Sequence, residues 1–311
     1  MLSSFEEPII LSMTLNTYCG LNCSFCFNNV FRKKMHDTTF NEVMNYIKIN
    51  NNLTTIAISG GEPLLDERLN RIFSMCKEKE IQISIDTNYN VPLGEQSNVI
   101  LNFGQIRVKL FSTISEKHDR LVGVSGHYQK ISQFMSWLDN NFRYSKVLLF
   151  PILSSNLNEI EQVAEFAIDR GFYCNFFTFP RGSNRLAALS KKDYIYVMKK
   201  VSDIFELYPK RIFLDFPLAG LNDRSLKNIC PAIFISSHID VDGYLRPCKY
   251  SSIKIGSLNE YSLHDLWEMQ KMEVQRLNSH CLNCNRYSDC GGGCFANKTD
   301  RNIDYYCPRT R

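Results

Sequence analysis

Ile9-Ile-Leu-Ser-Met-Thr-Leu15-Asn-Thr-Tyr-Cys19-Gly-Leu-Asn-Cys23-Ser-Phe-Cys26 sets a β-rich apolar run directly before three cysteines spaced C-x3-C-x2-C. A strand that ends in a tight loop of three thiols predicts a ligand set at the rim of a sheet. Three thiolates so placed can hold three irons of a cubane iron-sulfur cluster and leave the fourth iron without a protein ligand. That open iron separates a reactive, oxygen-sensitive centre from a closed four-cysteine electron carrier. Two plainer readings compete, a chance grouping of buried cysteines and a zinc knuckle. Zinc wants a fourth ligand close by, and the nearest histidine, His36, lies ten residues on.

Working outward, five more β-rich runs follow the first, so that candidate strands lie at 9–15, 55–59, 82–86, 106–112, 146–153 and 173–179. Between them, 40–48, 66–79, 128–140 and 158–170 place apolar residues three or four apart, as helices do. The third crossover carries little helical pattern. Asn156 reads as a helix start and Gly171 as its stop. Alternating βα units predict a parallel sheet, and six are too few for a closed eight-stranded barrel. The expected fold is α/β: a partial, open (β/α)6 TIM-type barrel over 1–210, a connection over 211–229, and a small α+β, cysteine-rich domain over 230–311. Chemistry is expected at the C-terminal ends of the strands. A helix is expected at 191–207 and another at 262–276, with a hairpin around Asp242-Gly243 between them.

Bulk properties narrow the class. The 311 residues are 44% apolar and 22% charged, the profile of an ordinary folded protein. A net charge of +4, spread over 36 basic and 32 acidic residues, gives no argument for nucleic acid. No long uncharged apolar run and no secretory signal pattern occur, so a cytoplasmic protein without a membrane span is expected. Twelve cysteines in a reducing compartment point to metal ligation or catalysis rather than disulfides.

Seven of the nine cysteines beyond the first loop fall after residue 229, as Cys230-x12-Gly243-x4-Cys248 and Cys281-x2-Cys284-x5-Cys290-x3-Cys294-x12-Cys307. On spacing alone, Cys281, Cys284, Cys290 and Cys294 also read as a zinc ribbon. Cys76 and Cys174 read as core residues, with Cys174 a possible hydrogen-atom donor near the barrel mouth. His238, His264 and His280 read as structural or surface residues, and the aromatic run from Phe172 to Phe179 as core.

Cys19, Cys23, Phe25 and Cys26 resemble the C-x3-C-x-aromatic-C motif of the radical S-adenosylmethionine (SAM) family. Gly60-Gly61-Glu62-Pro63-Leu64, after the second strand, resembles that family's GGE segment, which holds the methionine part of SAM. Thr87-Asn88-Tyr89 resembles its T-N-G with a tyrosine for the glycine, and Ser112 followed by His118-Asp119-x-x-Val122-Gly123 resembles its S-(x)n-H-D-x-x-R-G with Val122 for the arginine. Arg120 is a candidate replacement for that arginine. The seven later cysteines, with Gly243, resemble the SPASM extension that carries auxiliary clusters.

The resemblance implies one SAM-binding 4Fe-4S cluster on Cys19, Cys23 and Cys26, with SAM contacts from Phe25, Gly60, Gly61, Glu62, Pro63, Thr87, Asn88 and Ser112. It further implies two auxiliary clusters, one on Cys281, Cys284, Cys290 and Cys307, the other on Cys230, Cys248 and Cys294 with Asp223 a candidate fourth ligand. Reductive cleavage of SAM to a 5′-deoxyadenosyl radical and hydrogen abstraction from a residue of a ribosomally made precursor peptide are the implied activity, giving a crosslink, an epimerised centre or an oxidised side chain. A formylglycine-forming sulfatase maturase, a small-molecule radical dehydrogenase and a zinc-binding interaction module are the alternatives. Implied partners are the peptide, a separate leader-recognition protein, since the first strand begins near Ile9, and a flavodoxin or ferredoxin as one-electron donor.

Overall fold

Strand β1 (Ile10–Thr14) shows how the sequence builds the molecule: Leu11 and Met13 are fully buried beneath the helices, while Ser12 and Thr14 face the opposite side of the sheet. In the computed structural model, which describes residues 5–26, 32–92, 97–181, 187–215, 230–299 and 301–307, this alternation recurs along the sheet. All six expected strands are present: β1, β2 (Thr55–Ser59), β3 (Gln82–Thr87), β4 (Gln105–Lys109), β5 (Ser145–Ile152) and β6 (Tyr173–Thr178) pair in parallel, in sequence order.

Two additions extend the sheet beyond the sequence reading. Strand β7 (Ile212–Leu214) continues it in parallel beyond β6, within the stretch expected to be connection. Strand β8 (Ser236–Ile239), from the cysteine-rich region, pairs in parallel with β1, then turns through Gly243 (φ +84°) into β9 (Tyr244–Arg246) and on to β10 (Gly256–Ser257). The order is therefore β10-β9-β8-β1-β2-β3-β4-β5-β6-β7. The two cysteine-bearing regions share one sheet, so the second is fixed against the first by backbone hydrogen bonds.

Helices α1 (Asp37–Ile49), α2 (Leu69–Glu78), α3 (Ser97–Ile100), α4 (Ser115–Val122), α5 (His127–Asn141), α6 (Ile160–Asp169) and α7 (Lys191–Leu207) connect the strands. The third crossover contains only the four-residue α3 among its described residues, in keeping with its weak pattern. Gly171 stops α6 at φ +74° as expected. Asn156 does not cap that helix. Its Oδ1 accepts from Leu153 N (2.8 Å) and its Nδ2 donates to Phe111 O (2.9 Å) and Pro151 O (3.0 Å), so it ties the ends of two strands together. Helix α8 (Leu263–Asn278) starts at Ser262, whose Oγ accepts from Asp265 N (3.1 Å). Among the described residues no helix is long and apolar enough to cross a membrane.

Candidate active site and cysteine centres

The Cys19–Cys26 loop leaves β1 and is held against the β2 loop by backbone contacts. Gly61 N donates to Asn16 O (2.9 Å) and Glu62 N to Tyr18 O (2.6 Å). A Cβ on Gly60 would stand 2.4 Å from Asn16 O, and one on Gly61 2.1 Å from Tyr18 O. The paired glycines thus admit the cysteine loop's own backbone, a reason for them that the sequence reading did not identify.

Glu62 follows with its carboxylate fully buried. It accepts from Thr87 Oγ1 (2.8 Å), Asn88 N (2.9 Å), Leu64 N (3.2 Å) and Asn90 N (3.4 Å). Burial pushes its pKa up against these donors. The carboxylate therefore welds the end of β2 to the end of β3. Asn88 carries the tie onward, its Nδ2 lying 3.1 Å from Gly61 O and 3.9 Å from Cys19 Sγ.

Two histidines behind this wall fix each other's tautomers. Phe111 N donates to His118 Nδ1 (3.3 Å), which leaves the proton on His118 Nε2 to donate to His127 Nδ1 (2.9 Å). His127 Nε2 then donates to Asn88 O (3.1 Å). Burial first, and His127 second, lower the His118 pKa to about 4, so the pair is neutral at pH 7.

The three thiols open on a cavity of about 410 Å³ whose other walls include Gly60, Gly61, Asn88 and Phe25. Phe25 packs 5.1 Å from Phe111 and 5.6 Å from Phe179, ring centre to ring centre. Val122 is fully buried in the same apolar cluster, so the position of the family's arginine is here packing, and Arg120 does not line the cavity. Burial, then Cys26 and Cys19, push the Cys23 thiol up to about 12, and Lys109 pulls against this. Among the described residues no fourth Cys, and no His, Asp or Glu, lines this cavity. Three thiols and a vacant side match the donor set of a cubane with one open iron.

Of the expected SAM contacts, Phe25, Gly60, Gly61 and Asn88 lie on the cavity wall, whereas Glu62, Pro63, Thr87 and Ser112 lie behind it. Ser112 Oγ donates to Glu159 Oε2 (2.6 Å) instead. Sequence reading missed Lys249 and Tyr250, which follow Cys248 and line the same cavity, and it took Phe177 and Phe179 for core although both line it. Their signal was the period-2 alternation of β6, which sends Phe177 inward and Cys174 outward. Cys174 is fully buried among helix-facing core residues and does not line the cavity.

Beneath the cavity, Lys249 Nζ meets Asp86 Oδ2 at 2.5 Å, and Arg107 bridges Asp86 Oδ1 (3.4 Å) and Asp215 Oδ2 (3.3 Å). Burial alone would raise the Asp86 pKa, but Lys249, Arg107 and Lys109 hold it well below the usual carboxylate range. His238, on β8, receives or donates to Ser12 Oγ (2.9 Å) and Thr14 Oγ1 (3.1 Å), a structural role as expected.

The later cysteines fall into two electrostatic neighbourhoods. Burial is the largest cause of the raised pKa of Cys230, Cys248 and Cys294; Cys248 adds to it at Cys230, and Cys230 and Cys248 add to it at Cys294. Cys281, Cys284 and Cys307 act likewise on Cys290. Between Cys290 and Cys294, Gly291, Gly292 and Gly293 all take left-handed φ values, +57°, +89° and +80°, a run that only glycine adopts readily. Among the described residues no three Cys, His, Asp or Glu side chains converge on one point. Asp223 lies outside the described residues.

An open barrel with a three-thiol cavity at the C-terminal ends of its strands, joined through one sheet to a second cysteine-rich region, defines an iron-sulfur enzyme. The chain belongs to the radical SAM superfamily, whose family model matches residues 13–167, and carries a SPASM iron-sulfur cluster-binding domain, matched at 230–294. Membership brings SAM and iron-sulfur clusters as cofactors. Among curated proteins the chain is similar to the antilisterial bacteriocin subtilosin biosynthesis protein AlbA of Bacillus subtilis, at 22% identity over 94% of this chain and 68% of that one. It is also similar to the GTP 3′,8-cyclase of a Sulfurovum species, at 22% over 81% and 85%. Among solved structures, Streptococcus suis SuiB bound to precursor peptide SuiA superposes with TM-score 0.75 at 18% identity, covering 97% of this chain and 75% of that one. The anSMEcpe enzyme with AdoMet and the Cp18Cys peptide gives 0.71 at 16%, covering 96% and 94%.

Proposed function

We propose that the protein matures a ribosomally made precursor peptide, cleaving SAM reductively at a 4Fe-4S cluster on Cys19, Cys23 and Cys26. When bound, the cluster and SAM supply a 5′-deoxyadenosyl radical that removes a hydrogen atom from a peptide residue. The product is a crosslink, an epimerised centre or an oxidised side chain. Two auxiliary 4Fe-4S clusters complete the enzyme, on Cys281, Cys284, Cys290 and Cys307 and on Cys230, Cys248 and Cys294. One observation carries this reading: Lys249 and Tyr250, next to Cys248, share a cavity with the three-thiol loop. A substrate there touches both cysteine regions at once. The likeness to AlbA and to SuiB with its peptide supports a peptide as that substrate.

The residues divide the work. Glu62, Thr87 and Asn88 hold the cysteine loop and the β3 rim in fixed register. Phe25, Phe111, Phe177, Phe179 and Tyr250 exclude water from the reacting atoms. Lys109 favours the thiolate forms of Cys19 and Cys23. Formylglycine formation from Ser or Cys requires loss of a hydroxyl or thiol proton. Among the described residues no carboxylate lines the cavity to take it, and Asp86 is capped by Lys249. A nucleotide-like substrate is the second reading. Arg32, Lys109 and Lys249 on the cavity wall and the likeness to GTP 3′,8-cyclases favour it.

The test is anaerobic incubation of reconstituted protein with SAM, dithionite and, separately, GTP or the peptide encoded by a small neighbouring reading frame. Loss of two hydrogens from the peptide, or solvent deuterium gained at one residue, is the expected result. An altered nucleotide with an unchanged peptide would move the assignment to the second reading.

A further inference from the structure

Arg68 is buried close to the cysteine loop, yet it does not line the cavity. It stands immediately before α2, 5% exposed, with Asp66 beside it at 4%. Nε donates to Asp66 Oδ1 (2.9 Å) and Nη2 to Asp66 Oδ2 (2.8 Å), a two-point fork. The remaining donors leave the pair: Nη1 reaches Met35 O (2.8 Å) and Asp37 Oδ1 (3.0 Å), and Nη2 reaches Leu15 O (3.3 Å). All five N–H groups of the guanidinium are thereby used. Its central carbon lies 4.7 Å from the centre of the Phe40 ring.

Leu15 and Met35 are the two ends of the segment that carries Cys19, Cys23 and Cys26. They meet at a neck, where Met35 N donates to Leu15 O (2.8 Å), Thr17 N to Lys33 O (2.8 Å) and Lys33 N to Thr17 Oγ1 (2.8 Å). Arg68 bonds both sides of that neck with one rigid group from a third segment. The same third segment carries the glycine pair, whose Gly61 N and Glu62 N hold Asn16 O and Tyr18 O. Residues 60–68 thus grip Leu15, Asn16 and Tyr18, and Thr17 among them lines the cavity together with Gly60 and Gly61. Burying a charged pair costs desolvation energy that an apolar pair over Phe40 would avoid. What the guanidinium alone supplies is direction, a planar fork on one carboxylate with donors left for two carbonyls, and an ammonium does not reproduce it. Arg71 marks the difference: it also lies over Phe40 (5.0 Å), but it is exposed and donates to Asn41 Oδ1 (3.0 Å).

We infer that Arg68, paired with Asp66, is a positioning residue: a latch on the neck of the cysteine loop that fixes the spacing between the three thiols and Gly60-Gly61, where SAM binds. It touches neither thiol nor cavity and acts through Leu15, Met35 and the backbone from Asn16 to Tyr18. Groups that support a metal site in this way are worth about 10- to 100-fold in affinity or activity. The inference rests on the cluster proposed above for Cys19, Cys23 and Cys26.

The experiment has two arms on the full chain. Hydrogen exchange of the apoprotein needs no cofactor: Arg68→Lys loses protection at the amides of Thr17, Gly61 and Glu62, while those of β3–β6 keep theirs. In the reconstituted, reduced protein, SAM is titrated against the EPR signal of the Cys19–Cys26 cluster; Arg68→Lys weakens SAM binding about tenfold and leaves the signals of the other clusters in place. The double variant joining Asp66→Asn to Arg68→Met, which buries no unpaired charge, behaves as Arg68→Lys does, and Arg71→Ala behaves as the unaltered protein. Unchanged exchange at the three amides in both latch variants, or lost protection with SAM affinity intact, overturns the inference. An unaltered protein in which SAM changes no EPR signal would instead refute the cluster reading on which it rests.

Discussion

The two cysteine regions solve the same problem with opposite means. The Cys19–Cys26 loop is clamped by what the barrel already provides: strand ends, a buried carboxylate and two glycines that receive its backbone. From residue 279 onward the described residues of the second region form short turns, a four-residue helix α9 (Tyr287–Cys290), one isolated bridge between Lys298 and Asp304, and three left-handed glycines in sequence. A core of this kind buries little apolar surface, and its small cluster around Val274, Leu277 and Phe295 contrasts with the continuous core under the barrel. On the proposed cluster assignment, metal binding supplies more of the second region's stability than of the first's.

The largest expected effect follows from that contrast. Chelation of iron abolishes hydrogen-exchange protection over 279–307 while β1–β6 remain protected; equal loss in both regions would erase the distinction. Next, Gly61→Ala forces a Cβ within 2.1 Å of Tyr18 O, and overpacking of this kind costs about 2–3 kcal/mol. Urea unfolding of the apoprotein should show that loss, whereas an alanine at exposed Asn283 should leave the midpoint in place.

Acid sharpens the comparison from another side. The His118 pKa lies at about 4 in the folded barrel against 6.5 for an unperturbed histidine, so between those values the unfolded chain binds more protons. The stabilisation from keeping His118 neutral is complete above pH 6.5 and is lost as pH falls toward 4, about 3 kcal/mol in all. The urea midpoint of the barrel should fall across that window, and less steeply in His118→Asn. A parallel slope in the variant would remove the histidine pair from the account.

Local signals carried much of this molecule. Period-2 runs located six strands, and cysteine spacing separated the two regions. What stayed hidden was non-local. β8 pairs with β1 across more than two hundred residues, and a four-residue strand announces no partner. Lys249 and Tyr250 enter the cavity only because that pairing swings the segment after Cys248 beneath the barrel. Glu62 and Ser112 were legible as important residues but not as internal ties, because a sequence does not tell whether a carboxylate or hydroxyl faces a ligand or a neighbouring strand. Asn156 had the same ambiguity: a helix-cap residue type whose side chain joins two strand ends instead.

The most direct measurement compares Cys23→Ala with Cys284→Ala, each reconstituted anaerobically and reduced with dithionite in the presence of SAM. The expected result is that 5′-deoxyadenosine formation disappears in Cys23→Ala and persists, uncoupled from peptide modification, in Cys284→Ala. Deoxyadenosine produced by Cys23→Ala at the unaltered protein's rate would contradict it.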